Sequence, residues 1–239
     1  MNLDSIIFAA HPDDAELSMA GTIAKMTANN FKVGIIDFTK GELGTRGTPE
    51  IRQEEARKAG DILKISVREN LSIPDGNVID NQENLIKVIT TIRKYKPKII
   101  FAPYFNDRHP DHIDVSKIVK RAMFQTGLKK VETSDNGTTQ ASFRPAHLYY
   151  YMQTYTFEPS FIIDISDSYE TKMKAVRAYE SQFFNPGSKE PETFISKPNF
   201  VSYVESRAKF YGFQIRKNYG EPFYCEEDIE LDLISQLKK

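Results

Sequence analysis

The sequence predicts an α/β fold, a single domain whose mostly parallel sheet is covered by helices on both faces and extended at its C-terminal end by further strands and helices. Three observations carry that prediction. The N-terminal half alternates short apolar runs of strand length with longer runs of helical period, the pattern of a parallel sheet with crossover helices. Two histidine- and aspartate-rich clusters each follow a strand, where open α/β sheets place their ligands. The chain has 239 residues, enough to bury one sizeable core.

Taken in order, Ser5–Ala10 is the first strand. A helix runs from Ala15 to about Asn29, with Leu17, Ala20, Ile23, Ala24 and Met26 near helical spacing. Lys32–Phe38 is the second strand, and Thr39–Thr48 a polar, glycine-rich loop. The next helix spans Pro49 to about Leu63, with proline in its first turn and Thr48 as N-cap. A short strand near Arg68–Leu71 leads to the turn Ile73-Pro74-Asp75-Gly76. Asp80–Tyr95 is a helix burying Leu85, Ile86, Ile89 and Ile92, Lys98–Ala102 a strand, and Asp111–Gln125 a helix begun by Pro110. The sheet so far is Rossmann-like.

Beyond it, Lys129–Ser142 is polar and reads as an exposed excursion. Ala146–Gln153 and Phe161–Asp164 are strands, Tyr169–Gln182 a helix, Asn185–Pro198 a Pro/Gly-rich loop and Phe200–Tyr211 a last helix. Lys129–Ser142 and Asn185–Pro198 are candidates for loops that shape a pocket mouth. No repeat or linker divides the chain, so one domain over residues 1–239 is expected.

Composition narrows the function. The formal net charge is −1, with 32 basic against 33 acidic residues and no basic stripe, so a nucleic-acid footprint is missing. The apolar runs are too short to span a bilayer, and Met1-Asn2-Leu3-Asp4 does not open a signal peptide. The lone cysteine, Cys225, excludes an intrachain disulfide and a cysteine-rich zinc site. A cytoplasmic protein is expected.

The chemistry concentrates in His11-Pro12-Asp13-Asp14-Ala15-Glu16 and Asp107-Arg108-His109-Pro110-Asp111-His112, which hold three of the four histidines. A catalytic zinc site needs three nitrogen or oxygen ligands and one open position. His11, Asp14 and His112 can supply that set, leaving Asp13 free as a base toward water. His109 and His112 share a helix face at i, i+3, so one can ligate while the other faces substrate. Taken singly, each cluster also fits a helix N-cap with a satisfied histidine; two of them at strand ends of one sheet point to a shared site. His147, alone before Leu148, reads as a strand histidine with ordinary packing. Arg108 is placed to meet an anionic group of a substrate or to lie solvated.

These motifs resemble the PIG-L/LmbE-like zinc-dependent N-deacetylases. The resemblance rests on Ala9-His11-Pro12-Asp13-Asp14-Glu16 and His109-Pro110-Asp111-His112, supported by Thr39 to Gly44, Arg52-Glu54-Glu55-Ala56 and Pro74-Asp75-Gly76. Tyr179-Glu180-Ser181-Gln182-Phe183 adds likeness to the bacillithiol-biosynthesis branch, which acts on N-acetylglucosaminyl malate. The resemblance implies one Zn2+ per chain, other divalent metals also suiting the ligands. It implies His11, Asp14 and His112 as ligands, Asp13 as general base, and a protonated His109 that steadies the oxyanion and assists amine departure. It further implies Asp111 as the carboxylate orienting a histidine, Arg52 and Asp75 as sugar contacts, Glu16 as loop support, and a homo-oligomer. The substrate is then a small N-acetylglucosamine conjugate.

Three other readings compete. A dinucleotide-binding protein would carry Gly-x-Gly-x-x-Gly after the first strand, where His11-Pro12-Asp13-Asp14 stands. A structural metal site would fill all four positions and favour cysteine. A metal-dependent phosphoesterase shares these ligand types, and phosphate release against amine release separates the two.

Overall fold

A computed structural model describes residues 1–230, so the last residues of the expected domain lie outside the described residues. The chain runs β1 (Ser5–Ala9), α1 (Asp14–Ala28), β2 (Val33–Asp37), α2 (Pro49–Leu63), β3 (Val67–Asn70), α3 (Gln82–Tyr95), β4 (Ile99–Pro103) and α4 (Pro110–Gln125). There follow β5 (Ser134–Asp135), β6 (Thr138–Thr139), β7 (His147–Tyr151), β8 (Phe161–Asp164), α5 (Tyr169–Arg177), α6 (Phe200–Gln214) and β9 (Gly220–Tyr224).

Seven strands form one sheet in the order β3-β2-β1-β4-β7-β9-β8. The first five pair in parallel, and β9 pairs antiparallel with both β7 and β8. From β1 the chain first builds outward through β2 to β3, then crosses to place β4 on the opposite side of β1. The switch point thus lies between β1 and β4, and crevices at strand C-termini open there.

Side chains of a strand alternate faces, and the two cores follow that alternation. Ile7 and Ala9 join Leu17, Ala20, Ala56, Leu63 and Val176 under α1, α2 and α5. Ile6, Phe8 and Ala10 join Leu85, Val88, Ile89, Val115 and Ile118 under α3 and α4. The expected helical coverage of both faces is therefore present. Thr48 accepts Ile51 N at the start of α2, as its position before Pro49 suggests.

Three elements differ from expectation. The helix expected over Tyr169–Gln182 stops at Arg177. Ser181 N and Oγ donate to the two carboxylate oxygens of Glu55 at 2.7 and 2.8 Å, and Gln182 Nε2 donates to Arg46 O, which pulls the segment onto α2 and its preceding loop. Strand β9 was not expected, because Gly220, Glu221 and Pro222 are poor strand formers; the sheet accepts Pro222 within its antiparallel pairing to Ile162. The excursion at 129–142 carries the hairpin β5–β6, turned by Asn136 and Gly137, both at positive φ as a type I′ turn requires. It packs beside α3, where Arg93 Nη1 donates to Val131 O and Thr133 Oγ1.

Helix α1 is broken within its span. Met19 has φ −141° and ψ 20°, outside helical values. Lys172 Nζ donates to the carbonyls of Leu17 and Ser18 on one side of the break, at 3.1 and 3.4 Å. Glu221 accepts Gly21 N, Thr22 N and Thr22 Oγ1 on the other side, at 3.0, 2.7 and 2.6 Å. Lys172 and Glu221 join at 2.5 Å, both fully buried. Among the described residues no helix is long and apolar enough to cross a membrane.

Candidate metal centre and active site

After β1 the chain turns sharply into α1 through Asp13, whose φ is 108° and ψ −26°. That left-handed conformation strains any residue with a Cβ, and a short polar side chain tolerates it best. The Asp13 carboxylate does not cap the helix. It receives Arg52 Nη2 at 2.9 Å, and the same nitrogen also donates to Pro12 O. Gly41 has φ 67°, and a Cβ there would overlap the Arg52 guanidinium. This gives the glycine-rich loop a physical reason: backbone passes close over a buried arginine.

Asp14 closes the same turn by accepting His11 N at 2.9 Å. Its oxygens then face one histidine from each cluster, Oδ2 lying 3.5 Å from His11 Nδ1 and Oδ1 3.3 Å from His112 Nε2. One ligand atom from each of His11, Asp14 and His112 falls within 4.8 Å of the others. All three residues are buried. Two imidazoles and a carboxylate converging this closely are a donor set that would hold a divalent cation such as zinc. His11, His109 and Asp111 meet the same spacing. In that set, however, His109 Nδ1 accepts Asp111 N at 3.2 Å and Asp111 Oδ2 accepts Gly76 N at 2.9 Å, so two members are already engaged.

The supporting carboxylates are divided more finely than the sequence suggested. Asp111 was expected to orient a histidine, and it lies 3.4 Å from His11 Nε2, with Asp75 Oδ1 closer at 3.0 Å. His112 is held by a residue given no role from sequence: Asp107 Oδ1 meets His112 Nδ1 at 2.9 Å, turning Nε2 toward Asp14. Asp107 also accepts backbone N–H groups of His109, Thr154 and Tyr155. Burial pushes its carboxyl up, but His112 and these donors prevail and hold it at about 2. The available signal was its place two residues before His109, where a carboxylate can cap the turn into α4. Asp75, expected at the sugar, spends Oδ1 on His11 and Oδ2 on Leu43 N at 2.9 Å, while still lining the cleft.

The other titrations follow from the same neighbours. Burial alone would lower His112, yet Asp14 and Asp107 outweigh it and raise the imidazole to about 9. For His11 burial is again overcome, by Asp111, Asp14 and Asp75, and its pKa rises. Burial would raise Asp14, but His112 and His11 hold it well below the usual range. Asp13 is the reverse case, since burial pushes it up to about 7 against the pull of Arg52. His109 is lowered by burial and by the charges of His11 and His112. The sequence led us to expect a protonated His109. As N-cap of α4 its Nδ1 accepts a hydrogen bond, so the neutral ring carries its proton on Nε2.

A cleft of about 570 Å³ opens above this cluster. Asp13, Asp14, His11, His109 and His112 line it, together with Arg52, Asp75 and Arg108. Of the two loops expected at the mouth, only the second contributes, through Thr193, Phe194 and Ile195; the 129–142 excursion lines no part of it. Gln153, Gln182 and Arg207 also line the cleft, and of these Gln182 alone belongs to a motif singled out in the sequence, Tyr179–Phe183. Arg108 is exposed, its guanidinium 5.1 Å from the Phe194 ring centroid. Glu16 is fully buried against Arg68 at 2.5 Å, in keeping with a supporting role. His147 is exposed and stacks on Tyr149, and Cys225 is a free thiol.

Residues 6–123 match the PIG-L family, described as GlcNAc-PI de-N-acetylase. The chain is 32% identical over 225 residues to a diacetylchitobiose deacetylase of Thermococcus kodakarensis, covering 88% of this chain and 78% of that one. Among solved structures, a conserved protein of Thermus thermophilus, TT1542, superposes with a TM-score of 0.86 at 34% identity, covering 96% and 97% of the two chains. The N,N'-diacetylchitobiose deacetylase of Pyrococcus horikoshii gives 0.78 at 25% identity, covering 92% and 83%. A shared fold, two histidine–aspartate clusters meeting at one switch point, and this identity over most of the chain lead to one assignment: the chain belongs to the PIG-L family of deacetylases.

Proposed function

We propose that this protein hydrolyses the N-acetyl group of a small N-acetylglucosamine conjugate, with Zn2+ held by His11, Asp14 and His112. Membership of the deacetylase family makes it a hydrolase of amides. The observation that carries the site reading is the pairing of a three-donor set with an adjacent buried carboxylate, Asp13, that none of the donors engages. A bound zinc supplies a Lewis acid for the carbonyl and lowers the pKa of water.

The chain's own groups do the rest. Asp13 Oδ2, anchored by Arg52, accepts the proton of the attacking water as its oxygen bonds to the amide carbon. His109 Nε2–H donates to the developing oxyanion. Because His109 Nδ1 is occupied by Asp111 N, the neutral ring has no second proton to relay. Asp13 therefore returns its proton to the nitrogen, the C–N bond breaks, and acetate and a free amine leave. Arg52, fixed between Asp13 and Pro12, presents its remaining N–H groups to sugar hydroxyls.

Within this class the reading is N-acetylglucosaminyl malate, the bacillithiol precursor, supported by Gln182 of the Tyr179–Phe183 motif lining the cleft, held there by its bond to Arg46 O. It carries with it one catalytic domain over 1–239, a cytoplasmic location and a homo-oligomer. Phe210 and Phe213 of α6 are exposed and available for self-association, which sedimentation velocity checks. The deciding experiment follows free amine release from N-acetylglucosaminyl malate by zinc-loaded wild type and Asp13→Ala, with metal content measured on both. Turnover in wild type, lost in the variant with zinc retained, is the expected result. Loss of zinc from the variant would exchange the roles of Asp13 and Asp14.

A further inference from the structure

Strand β7 runs parallel to β4 and ends beside it, with Tyr151 paired to Pro103. Gln153 follows two residues after that end, at the strand edge where β1 and β4 send out the histidine clusters. It lines the cleft and is 8% exposed.

Three hydrogen bonds fix its place. Ser18 Oγ donates to Gln153 Oε1 at 2.6 Å, and the Gln153 carbonyl accepts Arg207 Nη1 at 2.6 Å. The next residue, Thr154, donates its N–H to Asp107 Oδ2 at 2.8 Å. Ser18 lies one helical turn beyond Asp14 in α1, and Asp107 is the carboxylate that holds His112. The side chain is thus tied to the helix of one proposed ligand, and its backbone to the support of another.

Those bonds leave over the Nε2 amide group, which is buried and has no acceptor in the protein. A buried donor without a partner destabilises the fold, so its presence needs a reason. Among the described residues, eight buried side-chain atoms lack a protein partner, and two of them belong to residues of the cleft lining, Arg52 Nε and Gln153 Nε2. Arg52 was read as a sugar contact from its motif; Gln153 bears the same mark with no motif to announce it. An amide held this firmly is a preorganised donor for a ligand oxygen. It is uncharged, and the uncharged oxygens that a sugar offers around its ring are hydroxyls.

We infer that Gln153 is a specificity-determining residue whose Nε2 donates to one ring hydroxyl of the N-acetylglucosamine unit, with Ser18 as the positioning residue that orients the amide. The inference rests on the deacetylase reading above. Arg52 is tied to Asp13 and Gln153 to the carboxylate behind His112, so each donor takes its own hydroxyl.

The test crosses deletions in the substrate with deletions in the side chain. It measures kcat/KM of zinc-loaded wild type, Gln153→Met and Ser18→Ala on methyl N-acetylglucosaminide and on its 3-deoxy, 4-deoxy and 6-deoxy analogues. In wild type the analogue lacking the hydroxyl that Gln153 meets should fall about 10- to 100-fold below the parent, the usual cost of stranding a buried donor. Gln153→Met should shrink that one penalty to within threefold and leave those of the other two analogues unchanged. Ser18→Ala keeps the amide but frees it, so the same penalty should shrink in part; this variant decides the matter if Gln153→Met fails to fold. Calorimetric Kd values in the Asp13→Asn background, where turnover is slowed, should repeat the pattern. If Gln153→Met lowers kcat/KM equally on all four glycosides, Gln153 is structural, and if it changes none, water serves Nε2. Either result overturns the inference while the deacetylase reading stands. Turnover of N-acetylglucosaminyl malate with none of the methyl glycoside also overturns the inference alone, because the sugar hydroxyls are then not what the cleft reads. No turnover of either substrate overturns both.

Discussion

Two places in this molecule bury opposite charges, and they do so to opposite ends. At the break in α1, Lys172 and Glu221 satisfy each other and the backbone groups released on either side of Met19. Every contact of that pair is internal, and it holds a helix in two pieces. At the β1–β4 switch point, Asp14 takes one backbone N–H, that of His11, and turns its two oxygens to His11 and His112, while Asp13 stands beside them in the cleft lining with a single arginine. A closed set of charges builds architecture. An open set is left for a ligand, and the difference is visible in what each carboxylate accepts.

The comparison can be broken most sharply at Asp13. Asp13→Asn should retain metal and lower kcat by about 10²- to 10⁴-fold, the usual range for a general base; single-turnover rates with metal analysis check it. A variant that stays within threefold of wild type would remove Asp13 from the chemistry. At the closed set the effect should fall on stability instead. Lys172→Met strands a buried carboxylate and should cost about 3–5 kcal/mol, whereas Lys172→Met with Glu221→Gln should cost less than the single change. Urea unfolding of the metal-free protein reads both, and a double variant less stable than the single would show that the pair is not closed.

A smaller effect is expected from Asp107→Ala, which should weaken zinc affinity by about 10- to 100-fold through loss of His112 orientation, while leaving one equivalent bound at saturation. The smallest is a pH dependence. In the metal-free protein His112 stays protonated up to about 9, because Asp14 and Asp107 outweigh burial. Its stabilising contribution is therefore complete below the unfolded value near 6.5 and lost as pH rises toward about 9. Zinc must displace that proton, so affinity should climb over the same window, with proton release at pH 7 seen by calorimetry in buffers of different ionisation enthalpy. Absence of proton release would show the imidazole neutral before metal arrives.

Much of the fold was legible because its strands and helices announce themselves locally. Ile99–Pro103 and the stripe of α3 are periodic, and Thr48-Pro49 starts a helix through its own chemistry. The convergence of His11, Asp14 and His112 was legible because they sit at two strand ends. What escaped was decided by distant partners. The end of α5 depends on Glu55 receiving Ser181, and β9 exists because β7 and β8 leave an edge for Gly220–Tyr224. Likewise Asp107 stood in the second cluster without a role until the fold set it against His112, and Arg207 carries no motif at all.

The crossing between β1 and β4 has one more consequence. A chain with a single cysteine cannot staple itself with a disulfide. Yet a cation held by His11 and Asp14 on one side and His112 on the other would tie together positions about a hundred residues apart, a span over which a cross-link strongly restricts the unfolded chain. Loaded with metal, the enzyme carries at its reaction centre the clasp that its sequence otherwise lacks.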